Sequence, residues 1–576
     1  MKKMMLGNEA VARGLYEAGC RFVSSYPGTP STEITEFAAK YPEIYAEWAP
    51  NEKVAMEAAL GASIGGARSF CAMKHVGLNV AADPLFTASY TGVNGGMVIG
   101  VADDPSMHSS QNEQDSRHYA IAAKLPMLEP SDSEECRDFA KLGYALSEQF
   151  DTPVLLRLST RISHSQSGVA PGEREEAPLR PYEKDAAKYV MMPANAKGRH
   201  TVVEARTRAL AEWAEQAEIN RMELHDTAIG IIAAGTTYAY AKEVFGEKAS
   251  YLKLGMVNPL PKQLILDFAA KVEKLYVIEE LDDILETHCR KLGLAPVGKE
   301  LFPLEGEFSQ KLIREKMGLA PVPFDEFGEQ IPVRPPVMCP GCPHRGMFTV
   351  LHKMGLTVSG DIGCYTLGAQ PPLSAIDTTI CMGSSISGLH GFNQARGEES
   401  AAKSVAVIGD STFLHSGVTG LMDIAYNQGI STVIIADNSI TGMTGHQENP
   451  ATGYTLKGDP TFAVDLETLC RAVGIRRVQV IDPNDMKALE AALKEELAVK
   501  EPSVIICRRP CALLKRKVKP GKPFVIKPDL CRSCKACMRI GCPAIRMTEQ
   551  GAVIDDTLCV GCGLCKPLCA FGAIAE

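Results

Sequence analysis

The chain has 576 residues, 45% of them hydrophobic and 22% charged, with a formal net charge of -9. That length implies roughly three to five domains, and the apolar content excludes a disordered chain, which is poorer in core-forming residues. No stretch approaches the roughly 18 consecutive apolar residues that cross a bilayer, and the apolar opening around Met4, Met5 and Leu6 is broken by Asn8 and Glu9 before a secretory signal can form, so a cytoplasmic protein is expected.

In chain order, residues 1–165 alternate apolar runs at 22–25, 67–73, 96–101 and 154–158 with helical stretches such as 52–64, the pattern of a parallel α/β domain. Residues 163–197 turn polar and carry Pro171, Pro178 and Pro181, which reads as a linker closing that domain. A helix is predicted over 202–221, and apolar runs at 228–237 and 274–280 predict a smaller α/β domain. A proline-rich passage at 321–336 introduces a third α/β block with strands at 404–409 and 432–437, and a Lys- and Pro-rich linker at 515–523 precedes the last module. The expected divisions are 1–165, a linker and helix at 166–225, then 226–320, 321–515 and 520–576.

Eight of the nineteen cysteines lie in two runs, Cys531-x2-Cys534-x2-Cys537-x4-Cys542 and Cys559-x2-Cys562-x2-Cys565-x3-Cys569. Three closely spaced thiolates hold three corners of a 4Fe-4S cubane, and the fourth ligand comes from the other run. One cluster is therefore assigned to Cys531, Cys534, Cys537 and Cys569, the other to Cys559, Cys562, Cys565 and Cys542. Paired zinc sites would show CxxC pairs rather than two runs of three. Residues 515–576 hold eleven Lys or Arg against five Asp or Glu, a basicity that offsets cluster charge rather than implying nucleic acid.

In the third block the 404–409 strand ends in Gly409-Asp410-Ser411, and the 432–437 strand ends in Asp437-Asn438, with twenty-seven residues between Asp410 and Asn438. Two neighbouring strand ends at the carboxyl edge of a parallel sheet supply the hard oxygen ligands a magnesium diphosphate needs. Gly409 lets the backbone approach a phosphate, and Ser416-Gly417 is read as the opening of a helix facing it. This spacing resembles the thiamine diphosphate motif, with Ser411 in place of its last Gly and Asp437 in place of its first Asn.

Further motifs extend the likeness. Cys339-Pro340-Gly341-Cys342-Pro343-His344, Gly360-Asp361-Ile362-Gly363-Cys364, Met382-Gly383-Ser384 and Asn438-Ser439-Ile440-Thr441-Gly442 resemble the thiamine-binding block of the 2-oxoacid:ferredoxin oxidoreductases, as Tyr26-Pro27-Gly28-Thr29-Pro30-Ser31 resembles that family's turn. The order of blocks is similar to one branch, the alpha subunits of indolepyruvate-type enzymes. The resemblance implies a pyrimidine-type thiamine domain, a transketolase-C-like domain, a diphosphate domain and an α+β double-cluster ferredoxin module. It implies Glu52 at the aminopyrimidine, with Glu57 the rival position, and Thr29 at the substrate. Asp410, Asn438 and the Ile440 carbonyl are implied on Mg2+, with Gly363, Cys364, Gly383, Gly409, Ser411 and Gly442 around the cofactor. It also implies a cluster on Cys339, Cys342, Cys364 and a later cysteine, with Cys511 the best-placed and Cys507 the next; the alternative is buried structural cysteine. Cys20, Cys71, Cys136, Cys289, Cys381 and Cys470 are read as core. His75 follows the apolar run at 67–73 and is read either as facing the cofactor cleft or as a structural histidine; His108, Arg117 and His118 sit in the polar loop at 106–118, which is read either as a mobile active-site loop or as solvent-facing.

The implied activity is oxidative decarboxylation of an aryl 2-oxo acid, of the indolepyruvate or phenylpyruvate type, with CoA to acyl-CoA and CO2, the electrons passing through the clusters to ferredoxin. A separate smaller beta subunit, of gamma type, is implied as partner. The alternatives are a related oxidoreductase with another substrate, a non-oxidative thiamine decarboxylase, which has no use for eight cluster ligands, and a bare electron-transfer module, which needs no Asp410–Asn438 constellation.

Overall fold

The computed structural model describes residues 2–323 and 328–576; Met1 and residues 324–327, inside the proline-rich passage, lie outside the described residues. The chain divides into two compact units, Met1–Phe327 and Gly328–Glu576. Among the described residues no helix is long and apolar enough to cross a membrane.

The first unit contains β1 (Lys3–Leu6), β2 (Phe22–Ser25), β3 (Tyr45–Trp48), β4 (Ser69–Lys74), β5 (Met97–Asp103), β6 (Met127–Leu128), β7 (Val154–Ser159), β8 (Gln166–Val169), β9 (Arg221–Glu223), β10 (Ile229–Ala234), β11 (Ser250–Leu254), β12 (Met256–Asn258) and β13 (Lys274–Ile278). Seven of these form a sheet in the order β12-β6-β7-β5-β4-β2-β3, parallel except for β12. β4 and β5 are buried at every position, as expected of strands covered by helices on both faces. A second sheet runs β13-β10-β11-β9. Because β12 leaves that sheet to extend the first, the two layers share a core, with Leu155 and Met127 packed in one cluster with Ile232 and Val277.

The stretch read as a linker is fastened down. β8 pairs antiparallel with β1, and beyond it Glu175 N–H bonds to the Glu17 carbonyl, Arg180 N–H to the Gly66 carbonyl and Arg174 to the carbonyls of Tyr16 and Cys20. The predicted helix at 202–221 forms, but spans Pro193–Gln216. Pro193 starts it, since a proline in the first turn gives up an N–H that has no helical partner there.

The second unit holds β14 (Thr357–Ser359), β15 (Ser404–Gly409), β16 (Thr432–Asp437), β17 (Arg477–Ile481) and β18 (Ser503–Arg508), a fully parallel sheet in the order β14-β15-β16-β18-β17 with an apolar core on each face. After it come residues 520–576, with little regular structure: Val525–Ile526 pairs with Ile574–Ala575, and Ile545–Thr548 with Gly551–Ile554. Its small core includes cysteines among its packing residues.

Candidate functional site

In the second unit, Gly409 of β15 pairs with Ala436 of β16, so Asp410 and Asp437 leave adjacent strands side by side, with Asn438 next. Asp410 is 2% exposed, and burial together with the neighbouring Asp437 charge pushes its carboxyl up. Asp437 is bound by Arg508, whose Nε donates to Oδ2 at 2.7 Å. Asp410 Oδ2 accepts from Asn449 Nδ2 at 3.2 Å, and the Thr441 hydroxyl bonds to that of Ser411 at 2.9 Å. Asn438 Oδ1 receives the Ile440 N–H at 3.2 Å, and its amide reaches His344. Burial holds His344 down to about 4, hence neutral. These hard oxygens around a buried, penalised carboxylate fit a divalent cation, whose charge would relieve Asp410.

Two expectations about this loop change. The helical run begins at Asp410 itself, continues through a π-helical segment at Phe413–Gly417 and ends at Tyr426, so Ser416 and Gly417 lie inside it and the amides at its start are those following Gly409. The space that Gly409 leaves open is taken by protein: a Cβ there would stand 2.5 Å from the Tyr365 ring, and the same ring blocks a Cβ at Gly363. Tyr365 and Asp361 were not singled out by their residue type. Asp361 is fully buried and accepts the N–H groups of Gly383 and Ser385, each at 2.9 Å, holding the start of helix Ser384–Arg396. Gly383, at φ 89°, supplies the left-handed residue before it.

The cysteines sort into three groups. Cys531, Cys534, Cys537 and Cys569 line one cavity, and Cys542, Cys559, Cys562 and Cys565 line another, the same two sets that the spacing pairs. Both cavities fit a cluster by donor type and number. Cys339, Cys342, Cys364 and Cys511 form the third group. Burial pushes the Cys364 thiol up to about 11, and it stands close enough to Cys511 and Cys339 for their charge to add to this; Cys342 is raised likewise beside Cys364 and Cys339. Cys511 N–H bonds to the Asn438 carbonyl at 2.9 Å, and a Cβ on Gly442 would come 3.3 Å from Cys364 Sγ, so this group adjoins the Asp410–Asn438 loop. Cys507 points instead into the sheet core at 3% exposure. Arg345 joins the third group to the module, donating to the carbonyls of Met338, Cys339, Ile540 and Gly541. Cys381, read as core, is exposed, because it lies in the loop before helix Ser384–Arg396; the other five isolated cysteines are buried.

In the first unit Glu52 opens helix Glu52–Ile64, which Asn51 caps by accepting the Val54 N–H at 2.9 Å. Glu52 is 4% exposed, whereas Glu57 is exposed and paired with Lys53. A Cβ on Gly77 would lie 2.6 Å from Glu52 Oε1, so the carboxylate occupies room that only glycine leaves. Thr29 is half-buried, and its carbonyl accepts the Ser109 hydroxyl at 3.2 Å. His75 is buried with Nε2 on the Asn112 carbonyl. His108 and His118 are at the surface, on Glu307 and Asp282. Arg117, placed in a polar loop by its sequence, is fully buried between Asp115 and Glu279, an internal ion pair joining the two sheets.

Two family models match: "Pyruvate flavodoxin/ferredoxin oxidoreductase, thiamine diP-bdg" over residues 13–229, and "Thiamine pyrophosphate enzyme, C-terminal TPP binding domain" over 361–507. The chain is 38% identical to the indolepyruvate oxidoreductase subunit IorA of Archaeoglobus fulgidus, over 100% of this chain and 97% of that one, and 38% identical to the subunit of the same name from Pyrococcus horikoshii, again over 100% and 97%. Among solved structures, a 2-oxoglutarate:ferredoxin oxidoreductase from Magnetococcus marinus is similar at 19% identity and a TM-score of 0.47, over 55% of this chain and 65% of that one.

Proposed function

The chain belongs to the indolepyruvate oxidoreductase IorA subunits of the 2-oxoacid:ferredoxin oxidoreductase family, and from that premise we propose that it carries out the oxidative decarboxylation of aryl 2-oxo acids with CoA, passing electrons to ferredoxin. The observation that carries this reading is the joining, in one compact unit, of a strand-end Asp410–Asn438 site with two cavities each lined by four cysteines. A thiamine decarboxylase without redox chemistry has no use for the cavities, and a bare electron carrier none for Asp410.

Thiamine diphosphate, when bound, supplies an electron-accepting ring for cleavage of the bond to the carboxylate. Asp410, Asn438 and the Ile440 carbonyl hold Mg2+ on its diphosphate, and Ser411, Gly442 and Gly383 border that group. Glu52, in dry surroundings, exchanges a proton with the aminopyrimidine ring nitrogen, and Thr29 faces the substrate. The two C-terminal cavities take one 4Fe-4S cluster each, and Cys339, Cys342, Cys364 and Cys511 hold a third beside the metal loop. The domain roles follow: 1–165 for the pyrimidine ring, 226–320 transketolase-C-like, 321–515 for the diphosphate and 520–576 for electron exit. A smaller beta subunit completes the complex in the cytoplasm.

The test is the purified two-subunit complex assayed for viologen reduction on a panel of 2-oxo acids. Aryl substrates are expected to support CoA-dependent reduction, with thiamine recovered from the protein. Reduction independent of CoA, or preference for a small aliphatic 2-oxo acid, would reject the reading. Iron analysis decides the third cluster: about twelve irons per chain falling to about eight in Cys339→Ala, against about eight in both.

A further inference from the structure

The parallel sheet of the first unit has a topological switch. From β2 the chain passes to β3 on one side, then crosses back to place β4, β5 and β7 on the other. In open parallel sheets ligands bind in the crevice outside the carboxyl ends of the strands where the order reverses, which here means the ends of β2 and β4. β2 leads into Tyr26-Pro27-Gly28-Thr29, and β4 ends in Lys74, followed by His75.

Lys74 is an unusual residue to find there. It is 9% exposed, and its Nζ donates to the Ser109 carbonyl at 2.8 Å. Among the described residues it has no carboxylate within ion-pair distance: Asp104, the carboxylate whose charge acts on it most, is taken up by the Ser109 N–H at 2.8 Å, the Ser110 hydroxyl at 2.7 Å and the Thr160 hydroxyl at 2.6 Å. A buried ammonium on a neutral carbonyl is costly, and buried charges are normally paired. Burial accordingly pushes Lys74 down to about 8, against the pull of Asp104 and Glu52.

Its surroundings point to a bound molecule. The Lys74 stem lies along Gly28, where a Cβ would meet its Cγ at 3.2 Å. The Ser109 that accepts from Lys74 also donates to the Thr29 carbonyl, tying Lys74 and Thr29 into one knot. Next to it, His75 is 1% exposed; with Nε2 donating to the Asn112 carbonyl, its buried Nδ1 presents a lone pair that meets no donor among the described residues.

We propose that Lys74 binds the carboxylate of the 2-oxo acid at the β2/β4 switch point and so sets the enzyme's preference for an anionic substrate. This rests on the proposed decarboxylation of aryl 2-oxo acids. The carboxylate supplies the directly paired counter-charge that no described residue gives Lys74, at a place flanked by Thr29 and by the helix that carries Glu52. Lys74 does not take part in proton transfer in this assignment; it holds the substrate by charge.

The full-length holoenzyme and its K74M and K74R variants test it. Titration with phenylpyruvate and with phenylacetone, which lacks the carboxylate, is read beside KM and kcat for phenylpyruvate-dependent viologen reduction. K74M is expected to weaken phenylpyruvate binding roughly 30-fold or more, the range for loss of one partner of a buried charge pair. Phenylacetone affinity, thiamine content and iron content should stay as in wild type, and K74R should restore most of the lost affinity. Unchanged phenylpyruvate affinity in K74M, equal loss for both ligands, or loss of thiamine would overturn the assignment. Should K74M not accumulate, K74Q is read by the same ratio. A wild type that turns over phenylpyruvate beside an unaffected K74M removes the lysine alone. A wild type that neither binds nor turns over any aryl 2-oxo acid removes the proposed function and the lysine assignment with it.

Discussion

The C-terminal module and the parallel sheet before it place ligand groups by opposite means. In the sheet, Asp410 and Asn438 leave strands β15 and β16, which are buried at every position and flanked by two apolar cores; that scaffold needs no cofactor to exist. In residues 520–576 the regular structure is two short strand pairs and a few single turns, and cysteines stand within the small core itself. A domain of about 60 residues is marginal on its apolar core alone, and metal ligation adds folding energy where it occurs. The sheet stands on its apolar cores, and the module's stability is expected to come from what its cysteines bind.

Iron removal should break the comparison most visibly. Chelation under reducing conditions is expected to abolish amide exchange protection throughout 525–575 while β15 and β16 keep theirs; protection that survives in the module would mean its core stands alone. Replacing a single ligand sharpens this, because Cys562→Ser should remove about four irons and end electron delivery to ferredoxin while thiamine remains bound. In the first unit, Glu52→Gln is expected to leave iron and folding intact and to lower turnover by roughly 100- to 10,000-fold, the range for a lost acid–base group; near-normal turnover would return Glu52 to a plain helix-start residue. Asp410→Ala should have a milder effect, since the sheet persists: weaker cofactor retention, partly restored by excess thiamine diphosphate and Mg2+, whereas an unaltered cofactor requirement would remove Asp410 from the metal site. The smallest effect is expected at the seam between the two regions, where a Cβ on Gly346 would overlap the Pro483 carbonyl and come 3.1 Å from Leu564. Gly346→Ala should cost about 1–3 kcal/mol, measured as a lowered unfolding midpoint with both cavities still loaded.

The two cysteine sets of the module were legible in the sequence because the members of each are mostly neighbours: a spacing of three residues brings them to one cavity by local turns, and only Cys542 and Cys569 cross over. Strands β4, β5, β7, β15 and β16 were legible for a similar reason, as short apolar runs buried on both faces leave little choice of structure. The stretch at 166–185 has the polar composition of a linker, yet it is fastened to the domain by backbone hydrogen bonds to Glu17 and Gly66 and by the Arg174 side chain, partners distant in sequence that composition does not record. Composition likewise placed Arg117 in a polar loop, and its ion partner Glu279 stands 162 residues away.

What the sequence determined by itself is chemistry carried by spacing: the eight C-terminal cysteines, the Asp410 and Asn438 strand ends, and the helix that begins at Glu52. What only the tertiary structure decided is which distant residues meet. It set Tyr365 against Gly409, buried Arg117 on Glu279, and left Lys74 at the end of β4 with no carboxylate in ion-pair reach among the described residues. The physical reason is range: turn geometry and burial act within a few residues and can be read from a pattern, whereas strand order and the pairing of buried charges depend on how separate elements pack, and a local pattern carries no record of that.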